Sequence, residues 1–175
     1  MSADADGLSR FAWRTEGSAS LYVAALPELV YDRVADVTRV GECSLEARAA
    51  EWVRGSSPGS VGARFRGRNR KGLIRWTRTC EVVEADRGRR FVFRTVPQRI
   101  DVSRRDSTVW SYSMRPDGDG TMLTHDYRIV RDALPGLKQL FALLMPHHRD
   151  MRPHLEHTLR AMKDELERAP RGTLR

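Results

Sequence analysis

Several things that would direct a reading are scarce in this chain. Two cysteines, Cys43 and Cys80, stand among 175 residues. That count makes neither a disulfide framework nor a metal-binding spacing, so both are expected as reduced thiols packing as small hydrophobes. No window approaches the roughly 18 consecutive apolar residues of a membrane span. The opening MSADADGLSR holds acids and no apolar h-region, so no secretory signal is expected and the protein is expected in the cytoplasm. Lysine is nearly missing: only Lys71, Lys138 and Lys163 among 31 basic residues, the rest being arginine. No five or six basic residues run together, so there is no basic tail. Gly67–Gly72 (GRNRKG) has glycines without the strand, loop and helix order of a phosphate cradle, and no cofactor is expected.

What remains is arginine and alternation. Hydrophobic content of 40% and charge of 31% are those of a soluble globular protein, and the length suits one domain with a real core. The expected organisation is an N-terminal arm over 1–17, partly ordered, a single domain over 18–168 and a C-terminal tail over 169–175. A net charge of +8 makes an anionic partner a candidate.

The chain is organised around Gly62–Thr95. Ala63, Phe65, Gly67 and Asn69 alternate there with Arg64, Arg66, Arg68 and Arg70, the period of two of a half-buried strand. Lys71-Gly72 interrupts, Leu73–Glu84 is rich in Ile, Trp, Thr and Val, Asp86-Arg87-Gly88 is a second turn, and Arg90–Thr95 alternates again. This predicts a three-stranded antiparallel meander with one dry face. The arginine stripe is expected to be its solvated face.

In chain order, Ser18–Ala25 predicts a strand and Pro27-Glu28 the start of a helix with Leu29, Val30, Val34 and Val37 as its stripe. A short helix is expected over Thr38–Cys43 and a strand over Ala49–Arg54. Val96–Arg105 is expected as a loop or a frayed strand edge, and Ser107–Arg115 and Thr121–Val130 as strands joined through the turn-forming Pro116–Gly120. Arg131–Pro146 is apolar and broken by prolines, suited to covering an opening. In Asp150–Arg168, Met151, Leu155, Leu159, Met162 and Leu166 recur at helical spacing. The fold class is α+β: a curved antiparallel β-sheet of about seven strands gripping a long C-terminal α-helix, with two short helices after the first strand.

In this order, VGARFRGRNRKGLIRW, CEVVEADRGRRFVF, LPELVYDRVADVTRVGECS, WSYSMRPDGDGTMLTH and HLEHTLRAMKDELE carry a resemblance. The chain resembles the SRPBCC superfamily (START-like, Bet v 1-like helix-grip fold), in its polyketide cyclase/dehydrase and lipid-transport branch. It departs from the pattern at Cys43, where relatives often carry tryptophan, at Leu45, often proline, and at Arg78, often a small hydroxyl residue. The resemblance implies an internal cavity for an apolar or aromatic small molecule, with lipids, sterols, quinones and polyketides bound in the family and cyclisation or dehydration catalysed by some members.

Strand parity nominates the residues for chemistry. Trp76, Arg78, Cys80 and Val82 share one face of the central strand, so Arg78 is expected to point inward as a ligand anchor, or to turn out to the rim. His125 and Tyr127 share a face with Leu123 and Ile129. Arg78, Tyr112 and His125 are the candidate catalytic set for an aldol-type cyclisation; the plainer alternative makes Tyr112 and Tyr127 wall residues and His125 a satisfied core histidine. The candidate cavity lining is Phe65, Trp76, Arg78, Phe91, Phe93, Trp110, Tyr112, Leu123, His125, Tyr127, Leu155, Leu159 and Met162. His147, His148, His154 and His157 are expected at the surface, with no metal site. The leading expectation is binding of a small hydrophobic or aromatic molecule. Alternatives are an aromatase/cyclase-like enzyme and a basic surface for an anionic partner. No specific nucleic acid is expected, and the sequence leaves a homodimer open.

Overall fold

The computed structural model describes residues 14–96, 108–130 and 149–168. In chain order these form β1 (Glu16–Val23), α1 (Pro27–Ala35), a 3₁₀ helix (Val37–Glu42), β2 (Ala47–Trp52), β3 (Arg64–Lys71), β4 (Ile74–Asp86), β5 (Arg90–Thr95), β6 (Thr108–Asp117), β7 (Gly120–Ile129) and α2 (Arg152–Arg168). The seven strands make one antiparallel sheet in the order β1-β7-β6-β5-β4-β3-β2. The α+β helix-grip fold read from the sequence is the fold of the chain.

Local chemistry sets these boundaries. Pro27 occupies the first turn of α1, Glu28 faces its positive end and Arg33 its negative end. The Asp36 side chain accepts from the Thr38 backbone N–H and caps the 3₁₀ helix. The β3–β4 and β6–β7 connections are two-residue loops, closed by the pairs Lys71↔Ile74 and Asp117↔Gly120. Each opens on a glycine at positive φ, Gly72 at 56° and Gly118 at 59°, which other residues adopt only with strain. Strand β2 begins at Ala47 rather than Ala49, because its pairing with β3 starts at Ala47↔Asn69 and a bulge absorbs Arg48. The N-terminal arm through Trp13, most of the Val96–Arg105 loop, the Arg131–Pro146 segment and the C-terminal tail lie outside the described residues.

The concave face is packed unevenly. At the end where β4 meets β5, α1 fills it: Val30 and Val34 are buried, and Tyr31 meets Phe91 edge-on at 6.0 Å between ring centroids. Helix α2 lies over β1, with Leu155, Leu159 and Met162 buried beneath it. Its far end is tied down by charge: Lys163 Nζ donates to the Tyr22 carbonyl at 2.8 Å, and Glu167 accepts from the Ala24 N–H at 2.8 Å. Arg33, its side chain 3% exposed, donates through Nε to Glu165 at 2.6 Å and so joins α1 to α2. The opposite end, toward the β3–β4 hairpin and the start of α2, is hollow.

Candidate functional site

The hollow is a cavity of about 290 Å³ between the concave sheet and the first turns of α2. Its space follows from side-chain size. On the inward positions of β2 and β3 stand Ala47, Ala50 and Gly67, which leave room where larger residues would fill it. Around that gap Phe65, Phe93, Trp76 and Trp110 make an aromatic wall. Phe65 is pinned between Trp52 and Phe93, at 5.6 and 5.2 Å between centroids and both nearly perpendicular. Met151, His154, Leu155 and Thr158 of α2 and its approach supply the facing wall.

At the inner end, Tyr112 and His125 are directly paired across β6 and β7. Their rings stack at 3.9 Å and 15° from parallel, with Trp110 tilted against the imidazole at 5.9 Å. His125 is 5% exposed, and among the described residues neither Nδ1 nor Nε2 has a hydrogen-bond partner. It is therefore a buried histidine but not a satisfied one. An unmet buried polar group costs on the order of 1–3 kcal/mol, so its presence on a cavity wall calls for an account. Burial pushes the imidazole down to about 3, which keeps it neutral, and pushes the Tyr112 phenol up.

At the hairpin end the cavity is more polar. Arg78 lines it and is half-buried, with Nη1 donating to the Thr77 carbonyl at 3.2 Å. Glu46 and His154 face each other there, 3.9 Å apart from Oε1 to Nε2, and their side chains are 11% and 14% exposed. By register, Arg78 pairs with Gly67, whereas His125 shares a row with Tyr112, Phe91 and Ala85. Arg78 is seven positions from Ala85 along β4. The three candidate catalytic residues thus sit on one cavity but at two ends of it.

Of the residues nominated from sequence, Phe65, Trp76, Arg78 and Phe93 line the cavity, as do Trp110, Tyr112, His125 and Leu155. Phe91, Leu123, Leu159 and Met162 do not; they are buried in the packed core. Tyr127 stands outside it too, its hydroxyl donating to the Arg14 carbonyl at 3.2 Å. His154 corrects an expectation: it is on the wall, not the surface, because the buried face of α2 is wider at its first turns than the methionine and leucine stripe. His157 is exposed, and His147, His148 and the Arg131–Pro146 segment expected to cover an opening lie outside the described residues. Glu46, Ser44, Thr95 and Thr158 escaped sequence reasoning altogether. Only strand parity could have offered Thr95; the others sit in irregular chain or on a helix face with no apolar signal.

Among the described residues no group of three His, Cys, Asp or Glu side chains is arranged to hold a metal, and no helix is long and apolar enough to cross a membrane. The outer arginines Arg64, Arg66, Arg68 and Arg70 are exposed, as parity predicts. Arg64 and Arg94 both pair with Glu81 at 2.8 Å.

No curated protein matches the sequence significantly. Among solved structures, the chain is similar to the protein MLL2253 of Mesorhizobium loti, at 14% identity and a TM-score of 0.64 over 89% of this chain and 98% of that one. It is similar to the Polyketide_cyc-like protein Cgl2372 of Corynebacterium glutamicum at 24% identity and a TM-score of 0.56, over 92% and 98% of the two chains. Major latex-like protein 151 of Panax ginseng matches at 14% identity and a TM-score of 0.58, over 90% and 100%. These likenesses are of fold. The polyketide cyclase/dehydrase and lipid transport family model matches residues 14–167, and the chain belongs to that family.

Proposed function

We propose that the protein binds a flat, largely apolar small molecule that carries a hydroxyl or carbonyl group. The observation that carries this reading is His125: a neutral, buried imidazole with both nitrogens unpartnered, opening on an aromatic cavity. A neutral imidazole offers one donor and one acceptor, and a ligand group that meets either removes a desolvation cost the empty wall carries. The aromatic wall suits the faces of a ring system. Arg78, at the other end, gives preference to a ligand with an acidic or strongly polar second group.

The family's description favours a second reading, an aromatase/cyclase-like enzyme using Arg78, Tyr112 and His125. Proton transfer near neutrality works best with groups that titrate near neutrality. Burial moves His125 and Tyr112 in opposite directions away from it, which leaves binding as the better supported function.

Native mass spectrometry of the purified protein tests the proposal, followed by titration with a planar phenol and its hydrocarbon analogue. His125→Phe is expected to weaken the phenol about tenfold and leave the hydrocarbon unchanged. Arg78→Ala is expected to weaken an acidic ligand more than its neutral isostere. Equal losses for the phenol and the hydrocarbon on His125→Phe would sink the reading.

A further inference from the structure

The β3–β4 hairpin ends in an apolar tip set in positive charge. Leu73 is 95% exposed and Ile74 44% exposed. Arg68, Arg70 and Arg75 are exposed beside them, and Lys71 closes the loop opposite Ile74. Leu45, 37% exposed, stands next to Glu46, whose carbonyl accepts from the Arg70 N–H at 2.9 Å. Elsewhere on this face carboxylates answer the arginines: Glu81 pairs with Arg64 and Arg94, and Glu84 with Arg90. Glu51 stands opposite Arg66 in the register. Among the described residues, none of Arg68, Arg70, Lys71 and Arg75 forms an ion pair.

We infer that this hairpin docks on an anionic phospholipid surface, with Leu73 and Ile74 entering the interface and the flanking cations contacting headgroups. Aliphatic side chains at a tip gain by leaving water for the acyl boundary. Flanking cations add attraction to a negative bilayer. Duplex nucleic acid shares the charge but offers Leu73 and Ile74 no apolar phase to enter, single strands ask for stacking aromatics at the contact, and Trp76, two residues from Ile74, lines the cavity. Ile74 lies on the same strand face as Trp76, so docking sets the hairpin end of the cavity against lipid. The inference stands apart from the His125 reading, since it needs no ligand in the cavity.

Co-sedimentation of the full chain with vesicles tests it. Vesicles of phosphatidylcholine mixed with phosphatidylglycerol should bind the protein, vesicles of phosphatidylcholine alone should not, and added salt should release it. The triple variant Arg70→Gln, Lys71→Gln, Arg75→Gln should lower partitioning about a hundredfold. Leu73→Ser with Ile74→Ser should lower it about tenfold. Arg70, Leu73, Ile74 and Arg75 are exposed and Lys71 is half-buried, and circular dichroism should show the fold intact in both sets of variants. Leu73→Trp should add blue-shifted emission on the mixed vesicles. The inference is overturned if mixed vesicles bind nothing, if both sets of variants bind like the parent, or if duplex DNA is bound and vesicles are not.

Discussion

Tyr112 lies flat against His125, ring centroids 3.9 Å apart, and seals an imidazole that has no hydrogen-bond partner among the described residues. Burial pushes the folded-state pKa of His125 from 6.5 down to about 3. Below about 6.5 the unfolded chain takes up a proton that the folded protein refuses, so stability falls as pH drops and goes on falling to about 3. The expected slope is about 1.4 kcal/mol per pH unit from this one group. Carboxylates such as Glu42 and Glu81 are held below their usual 4.5 by arginines, so their stability is present above that value and lost only further down. Urea unfolding between these two regions should therefore show a limb that His125→Phe removes. A variant with the parent's slope would mean that His125 is charged in the fold.

Gly67 is a void-forming residue with backbone free of positive φ. A Cβ placed there would meet only the Arg78 carbonyl oxygen, at 3.9 Å. Gly67→Val should keep or raise the melting temperature, since glycine inside a strand is unfavourable by about 0.5–1 kcal/mol. It should at the same time reduce uptake of a ring-sized ligand, because the added methyls enter the cavity. Unchanged uptake would place the ligand elsewhere.

Arg33 holds two helices together from inside. Its Nε donates to Glu165 at 2.6 Å, and its Nη2 lies 3.5 Å from Glu42. Arg33→Ala should cost about 1.5–3 kcal/mol by chemical unfolding, from the lost charged hydrogen bond and the packing of its buried stem. Arg39 also reaches Glu165, at 2.6 Å, but is 41% exposed, so Arg39→Ala should cost about 1 kcal/mol or less. Arg33→Met should recover part of the loss because Arg39 keeps Glu165 paired. Equal effects at the two arginines would contradict the difference in burial.

Much of the fold was legible because period-two alternation is written directly in Phe65-Gly67-Asn69 and Trp76-Arg78-Cys80, and the stripe of α2 in Leu155-Leu159-Met162. Alternation assigns a face, though, and not a depth. Phe91 and Leu123 share the concave face with Phe93 and His125, yet α1 packs over the first pair and the second pair borders open space. Glu46 and His154 carried no signal, since a polar residue in irregular chain or on a helix's first turn looks solvent-facing until the partner surface is known. Arg33 was hidden for the same reason, within a helix whose stripe accounts only for its apolar residues.

The pairing of β1 with β7 joins Glu16 to Arg128, more than a hundred residues away, while β3 to β5 are linked by short turns. Contacts so distant in sequence close late and slowly. Helix α2 rests on β1, so β1 and the part of the cavity wall that α2 supplies are expected to form together. Until then the aromatic wall is expected to stand open to water. Pulsed hydrogen exchange during refolding should protect amides of β3–β5 before those of β1, and a cargo present then can be enclosed as the chain closes around it, without crossing a finished wall.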